Sequence, residues 1–386
     1  SSAARKAVDL DGFFGLHPSL ASPDAGNWIE WYQEGMLAVV HAAHMDNPTR
    51  SHFDATDYME RGTPGEKRIP SGWLGRHLVT EAVQAGSAFR AAGIGTMLQQ
   101  SLRGEVPAVT LETVAGFRLQ GRATMIDRFQ RDLEQVHAGD GWLDLEGQGT
   151  FAALDLLAAR VGQAEYRPAH GAQYTANDAF HRGLMQIAQL IKADIGLEVA
   201  CVDINGWDHH ANEVSADDPT AGNLANMLLR MSTGLTAFLT DMRDYLGDGS
   251  GPGITIVTMS EFGRRASENA SLGTDHGHGN VMFVLGRAVN GGRVFTNPWP
   301  GLAEDDLYRG DLAGTTEYRD VLGEGSFTRY LGNSLIVGVV STLITLVLGC
   351  MAAYGLVRFR FKGRKTIAYT TLLLRTVPLA VLAVPV

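Results

Sequence analysis

The sequence predicts an α/β fold in which helices flank a mostly parallel sheet. Short apolar segments alternate with longer segments whose apolar residues recur at helical spacing. Several of the short segments are almost continuously apolar, which is typical of strands that are buried on both faces of a parallel sheet. The chain of 386 residues is also long enough for a large core and more than one domain.

Four strands are the clearest elements, and they are predicted at residues 36–42, 198–204, 254–259 and 281–285. Two amphipathic helices are predicted at residues 177–193 and 221–246, with Gly196 and Gly247 after them as residues that can end a helix. Strand, helix and strand at this spacing predict right-handed crossovers and parallel pairing. Residues 61–170 are rich in glycine and polar residues and are predicted to hold helices and excursions over one edge of the sheet.

The end of the chain differs from the rest in charge and hydropathy. Residues 326–386 have seven basic side chains and no acidic one, although the whole chain has a net charge of −10. Residues 331–357 have no formal charge, and about 20 apolar residues suffice to cross a bilayer. A buried core helix is the alternative, but the length of the run favours a membrane span. Residues 366–386 predict a second, weaker span.

The distribution of charge predicts a location for each part. Five basic residues in the loop 358–365 indicate the cytoplasmic side of a membrane, so residues 1–330 are expected on the other side. The acidic body argues against a nucleic-acid partner, which requires a basic surface. Cys201 and Cys350 both lie in apolar runs and predict no disulfide framework.

The strongest chemical motif is the segment 273–280. Asp275, His276 and His278 fall within four residues, and the glycines around them let the backbone fold tightly. Carboxylate and imidazole ligands suit zinc or manganese, whereas sites made only of oxygen ligands suit calcium or magnesium. The alternative is a polar turn whose histidines bond only to the backbone.

Two further polar segments directly follow predicted strands. Asp208 and His210 come after the strand 198–204 and are predicted metal ligands, with His209 as the alternative to His210. Glu261 follows the strand 254–259, so it is expected at the same edge of the sheet. Arg264, close behind it, could bind an oxyanion through its forked donors or could be a surface charge, as could Arg265.

The segment 48–54 follows the strand 36–42 and carries hydroxyl groups. Thr49 or Ser51 can cap a helix that begins near Phe53. Beside a metal, such a hydroxyl could also act as a nucleophile. We therefore take Ser51 and His52 as catalytic candidates, with His52 also an additional possible metal ligand, and Arg50 and Arg264 as substrate-binding candidates. The candidate metal ligands are Asp208, His210, Glu261, Asp275, His276 and His278.

Residues 1–322 resemble the bacterial domain-of-unknown-function 1501 family. The resemblance is carried by residues 10–18, 37–41, 50–54, 206–212, 259–264, 273–280 and 318–322. It implies an exported domain with an alkaline-phosphatase-like or sulfatase-like fold. It further implies a metal-dependent hydrolase of small phosphate or sulfate esters. The ligand types described above favour zinc or manganese as its metal, with calcium or magnesium as alternatives.

Two departures from the family pattern shape these expectations. Family members begin with a strand and a glycine-rich turn bearing Asn or Asp, so the first strand and one ligand are expected to be missing here. His209 stands where the family more usually has threonine.

Residues 327–386 resemble the inner-membrane permease subunits of carbohydrate ABC transporters. The matching residues are 327–330, 333–335, 352–354, 358–364 and 377–378. Residues 323–326, with Gly323 and Gly325, are the expected junction. The coupling helix of such permeases would lie beyond Val386, so this chain is not expected to transport alone. The expected functions are a periplasmic hydrolase anchored to the inner membrane, a transporter fragment, or a non-catalytic metal-binding module.

Overall fold

The computed structural model describes residues 7–318, apart from 22–25, 27, 81–86, 88, 162–164, 219, 248–252 and 297. The chain divides into two units, Ser1–Leu322 and Gly323–Val386, and the described residues all belong to the first. The predicted junction, the predicted membrane spans and the basic loop lie outside the described residues. Among the described residues, no helix has the length and apolar character needed to cross a bilayer.

The described residues form helices and strands in alternation along much of the chain. The α-helices are α1 (Pro18–Ala21), α2 (Trp28–Gln33), α3 (His52–Arg61), α4 (Trp73–Thr80), α5 (Ala123–Val136), α6 (Trp142–Arg160), α7 (Ala179–Lys192) and α8 (Asn223–Asp241). The strands are β1 (Val8–Asp9), β2 (Gly15–Leu16), β3 (Leu37–His44), β4 (Ala91–Ile94), β5 (Ala108–Leu111), β6 (Val199–Val202), β7 (Ile256–Val257), β8 (Asn280–Leu285), β9 (Arg293–Phe295) and β10 (Thr316–Glu317). Short 3-10 helices occupy Gln100–Leu102, Arg243–Tyr245 and Glu304–Asp306. The predicted α/β class is confirmed.

One sheet is wholly parallel and has the order β5-β4-β6. Ile94 of its central strand pairs with Leu111 on one side and Val202 on the other. Of these strands, only β6 is predicted from the sequence. Strands β4 and β5 fall in the region 61–170, where helices and excursions are predicted. Strand β4 is missed because it is short and rich in alanine and glycine, which have low strand propensity. Pairing on both sides of β4 decides its conformation.

The second sheet is mixed, with the order β10-β3-β8-β7 and with β9 also paired to β3. Strands β9 and β10 run parallel to β3, whereas β8 runs antiparallel to both β3 and β7. The expected parallel arrangement is therefore wrong for β8. This reversal places the amino end of β8 beside the carboxyl ends of β3 and β7. A loop before β8 and the loops after β3 and β7 consequently share one edge of this sheet.

One core cluster joins the two sheets through helices α2, α7 and α8. Leu37 and Phe283 enter it from the mixed sheet, Ala92 from the parallel sheet, and Trp28 and Leu190 from the helices. Each large apolar side chain buried in this way contributes about 1.5–3 kcal/mol to folding. The core thus fixes the strand ends from which the polar loops extend.

Local sequence sets the ends of the helix nearest to those loops. Helix α3 begins after Ser51, whose hydroxyl accepts a hydrogen bond from the Asp54 backbone N–H at 3.4 Å. It ends at Gly62, which has the left-handed φ of 63° that favours glycine. The cap predicted at Thr49 or Ser51 is therefore made by Ser51.

Candidate metal centre

Backbone hydrogen bonds hold the polar loops together. Gly277 N donates to Gly263 O at 2.8 Å and Thr274 N donates to His209 O at 3.1 Å. A Cβ at Gly277 would lie 2.4 Å from the Arg264 carbonyl carbon, and one at Gly273 would lie 2.4 Å from that of His210. The glycines around the histidine motif are therefore needed for the close approach of three chain segments.

His276 is oriented by a distant backbone carbonyl. Its Nδ1 lies 2.8 Å from the carbonyl oxygen of Arg50. A carbonyl oxygen only accepts hydrogen bonds, so Nδ1 carries the ring proton and donates it. In the neutral ring, Nε2 is then left with a free lone pair, which is the form that binds a metal.

His52 and His210 are oriented in the same way by carboxylates. His52 Nδ1 donates to Glu261 Oε1 at 2.6 Å, and His210 Nδ1 donates to Asp275 Oδ1 at 3.2 Å. Each neutral ring therefore also presents the lone pair of Nε2. A carboxylate behind an imidazole raises the basicity of the ring and fixes its orientation, as is typical behind metal-binding histidines.

The three Nε2 atoms converge on one another and on Asp208. The Nε2 atom of His276 lies 3.1 Å from that of His52 and 3.1 Å from that of His210. Asp208 Oδ1 lies 2.9 Å from His276 Nε2 and 3.0 Å from His210 Nε2, and Asp208 Oδ2 lies 3.4 Å from His52 Nε2. Ligand atoms of His52, Asp208 and His276 all lie within 4.8 Å of one another.

This donor set fits a divalent transition metal. Three lone pairs and a carboxylate that face one another repel unless a cation or a proton lies between them. Imidazole nitrogen favours zinc or manganese over calcium and magnesium, whose sites are made of oxygen ligands. His276 is 18% exposed and Asp208 is 44% exposed, so the cluster is open on one side to solvent or a substrate.

Arg264 neutralises part of the negative charge at this cluster. Its Nη1 donates to Asp208 Oδ1 at 2.6 Å. Burial opposes ionisation of Asp208, but the hydrogen bond from the Arg264 guanidinium outweighs it and holds the pKa of that carboxyl well below its usual range. The pKa of Asp275 is also lowered, chiefly by its hydrogen bond with His210.

The remaining sequence-predicted residues surround the cluster. Ser51 caps α3 immediately before His52, and the Arg50 guanidinium donates to the buried carboxylate of Asp311.

The ring of His278 lies beside the rings of His44 and Tyr308, with centroid distances of 4.9 Å and 5.5 Å. Burial lowers the pKa of His278. Of the two histidines left open as ligands, His210 joins the cluster, while the carbonyl of His209 accepts from Thr274.

Several residues around the centre are not singled out by sequence reasoning. Glu213 and Thr274 lie behind Arg264, and Asp311 lies between the side chains of Arg50 and Arg265. Glu213 is only three residues from His210, and this closeness to a candidate ligand is the sequence feature that could have indicated a role for it.

Transport proteins are similar to short stretches of this chain. An inner membrane ABC transporter permease protein of Escherichia coli, YcjP, is 54% identical over 41 residues, which is 11% of this chain and 15% of that protein. The arabinooligosaccharides transport system permease protein AraQ of Bacillus subtilis is 36% identical over 63 residues, or 16% of this chain and 22% of its own. The trehalose transport system permease protein SugB of Mycobacterium tuberculosis is 35% identical over 68 residues, or 18% and 25%. The chain thus spans a quarter or less of each of these relatives.

A family match covers most of the chain. Residues 15–309 match the family described as protein of unknown function (DUF1501). That range contains all the residues of the cluster and those that orient it. No solved structure matches the chain. The chain therefore belongs to the DUF1501 family.

Proposed function

We propose that the domain binds zinc or manganese through His52, Asp208, His210 and His276 and hydrolyses phosphate or sulfate esters. The observation that carries the proposal is the convergence of three imidazole Nε2 atoms whose Nδ1 atoms all face acceptors. His52, a catalytic candidate in the sequence, becomes a ligand in this proposal. The ester class follows from the alkaline-phosphatase-like or sulfatase-like character that the family resemblance implies.

The protein's own residues have distinct parts in this proposal. Glu261, Asp275 and the Arg50 carbonyl fix the tautomers of the three histidines. Arg264 holds Asp208 in its ionised form. When bound, the metal supplies Lewis-acid stabilisation of the negative charge that develops on ester oxygens. Ser51, at the amino end of α3 next to His52, is the proposed nucleophile.

The test combines metal content with turnover. The purified chain is loaded with zinc or manganese, dialysed and assayed for bound metal by mass spectrometry, then for hydrolysis of aryl phosphates and aryl sulfates. His276→Gln is expected to lose both metal and turnover. His77→Gln, an exposed histidine on α4, is the matched control and is expected to keep both. Equal metal content in the two variants would refute the proposed centre.

A non-catalytic metal-binding module is the second candidate. It is favoured by the position of the Ser51 hydroxyl, which is already engaged as the cap of α3. In that case the wild-type chain binds metal stoichiometrically but hydrolyses neither class of aryl ester. Turnover that depends on Ser51 would exclude this candidate.

We further propose that the end of the chain lies in the inner membrane, with the domain in the bacterial periplasm. The uncharged run 331–357, the basic loop 358–365 and the similarity to inner membrane permeases support this. Transport as part of a permease is the alternative that the same similarity supports. In intact cells, a cysteine introduced as Gly363→Cys is expected to react with an impermeant thiol reagent only after the cells are opened. Labelling of intact cells would reverse the proposed topology.

A further inference from the structure

We propose that Glu213 is a positioning residue of the candidate metal centre and acts on Asp208 through Thr274 and Arg264. The inference rests on the proposed metal centre and not on the proposed ester hydrolysis. It concerns two residues, Glu213 and Thr274, that lie outside the set of ligands and the groups that orient the histidines.

Arg264 is fixed by contacts on three of its nitrogen atoms. Nη1 donates to Asp208 Oδ1 at 2.6 Å, and Nε donates to Thr274 Oγ1 at 3.1 Å. Nη2 donates to the backbone carbonyl of Thr274. A planar guanidinium held at three points cannot rotate without breaking one of these contacts. Thr274 therefore determines which nitrogen of Arg264 faces Asp208.

The direction of every hydrogen bond in this chain of contacts is determined. An arginine Nε only donates, so the Thr274 hydroxyl accepts from it. That hydroxyl has one proton, which it donates to Glu213 Oε2 at 2.5 Å. A carboxylate only accepts. Glu213 is thus the acceptor on which the orientation of the Thr274 hydroxyl, and through it Arg264, depends.

Glu213 is itself fixed to the surrounding backbone. Its N–H donates to Leu272 O at 2.8 Å, and its carbonyl accepts from Leu224 N at 3.0 Å, at the start of α8. Asn212 directly precedes Glu213, and Leu272 lies two residues before Thr274. Both have left-handed φ values, of 52° and 56° respectively. Asparagine tolerates this conformation, but it is unfavourable for leucine and is retained where the surrounding contacts require it. The backbone therefore brings Glu213 and Thr274 together at some cost in conformational energy.

Zinc affinity of the full chain tests the proposal, with zinc itself as the probe in competition with a chromogenic chelator. Thr274→Val keeps the shape of the side chain but removes the hydroxyl, and we expect it to bind zinc about tenfold more weakly, as for other groups that orient metal ligands. Thr274→Ser restores the hydroxyl and should restore most of the affinity. Glu213→Met, which removes the accepting oxygen and keeps the length of the side chain, should weaken binding on its own. The double variant Glu213→Met/Thr274→Val should bind no more weakly than Thr274→Val, because the chain of contacts is already broken.

The outcomes separate this inference from the proposed centre. If the wild-type chain binds zinc and Thr274→Val binds it equally well, or if Thr274→Ser is as weak as Thr274→Val, the positioning role is refuted while the metal centre stands. If the wild-type chain does not bind zinc, both proposals fail. Should Thr274→Val not fold, as judged by thermal melting without metal, wild-type zinc affinity of Glu213→Met, which has no accepting oxygen, would refute the role by itself.

Discussion

The Nε2 atoms of His52 and His276 lie 3.1 Å apart, although each ring directs its Nδ1 proton to a different acceptor. Two neutral imidazoles in these tautomers therefore face each other with lone pairs. A cation between them would convert this repulsion into coordination, and Asp208 beside them supplies one negative charge towards its neutralisation. The groups behind the rings thus fix which nitrogen of each ring faces the cluster.

Removal of the charge behind His52 is expected to weaken metal binding. Glu261→Gln leaves an oxygen that can accept from His52 Nδ1 but removes the negative charge that raises the basicity of the ring. We expect zinc affinity to fall about tenfold, measured by chelator competition. Glu105→Gln, in the exposed segment before β5, is the matched control and should bind as the wild type does. If both variants bind zinc equally, the carboxylate has no part in the centre.

The hydroxyl of Ser51 has a structural role that can be separated from a chemical one. Ser51→Ala removes the cap of α3 and should lower the free energy of unfolding by about 1 kcal/mol, whereas Ser51→Gly should cost only a few tenths. Urea denaturation followed by circular dichroism measures both. If the hydroxyl is also the nucleophile, both variants lose ester turnover to the same extent. If Ser51→Ala and Ser51→Gly lower the free energy of unfolding equally, the Ser51 hydroxyl does not stabilise α3 as a cap.

The buried carboxylate of Asp241 should make stability depend on acid pH. It accepts hydrogen bonds from Lys192, Tyr166, Tyr174 and the Ala169 N–H. Burial opposes its ionisation, but these bonds, with that of Lys192 foremost, outweigh burial and lower the pKa of Asp241. The stabilisation is thus present above the unfolded pKa of about 3.9 and is lost as the pH falls through the lower folded pKa.

Asp241→Asn tests this dependence because it leaves Lys192 without its buried partner. The free energy of unfolding should fall by about 3–5 kcal/mol at pH 7, and by less at acid pH, where the wild-type carboxylate is protonated. The control is Asp244→Asn, which alters an exposed hydrogen bond with His170 and should change stability by at most about 1 kcal/mol. A difference between wild type and Asp241→Asn that does not shrink at low pH would contradict the assignment.

Tyr318 should make the stability of the fold depend on alkaline pH. Its hydroxyl donates to Ser260 O, next to Glu261, and accepts from Asn280 Nδ2 at 2.8 Å. Burial raises the pKa of Tyr318 to about 12. Because the unfolded chain loses this proton near pH 10, the stabilisation is complete below that pH and is lost as the pH rises towards 12.

Tyr318→Phe is therefore expected to lower the free energy of unfolding by about 1 kcal/mol at pH 8. The difference from the wild type should shrink as the pH rises above 10, because only the wild type has this proton to release. Urea denaturation at both pH values measures the effect. A constant difference across this range would show that the Tyr318 hydroxyl is not buried in a hydrogen-bonded form.

The sequence by itself determined the α/β class, four strands, the helices α7 and α8, and the loops that carry the candidate ligands. These features follow from local patterns, since helical spacing, continuous apolar runs and polar residues after a strand are all read within some 20 residues. The same locality explains why β4 and β5 are missed, because their strand conformation comes from pairing with distant segments and not from propensity.

Only the tertiary structure decided how the ligand candidates are arranged. The direction of β8 brings the loop 273–280 to the edge occupied by the loops after β3 and β7. The tautomers of His52 and His276 depend on Glu261 and Arg50, which are 209 and 226 residues away along the chain. The tertiary structure also placed His278 beside His44 and Tyr308. It connected Glu213 to Arg264 through the hydroxyl of Thr274. Hydrogen-bond partners so far apart in sequence leave no local pattern, because they are set by strand direction and packing.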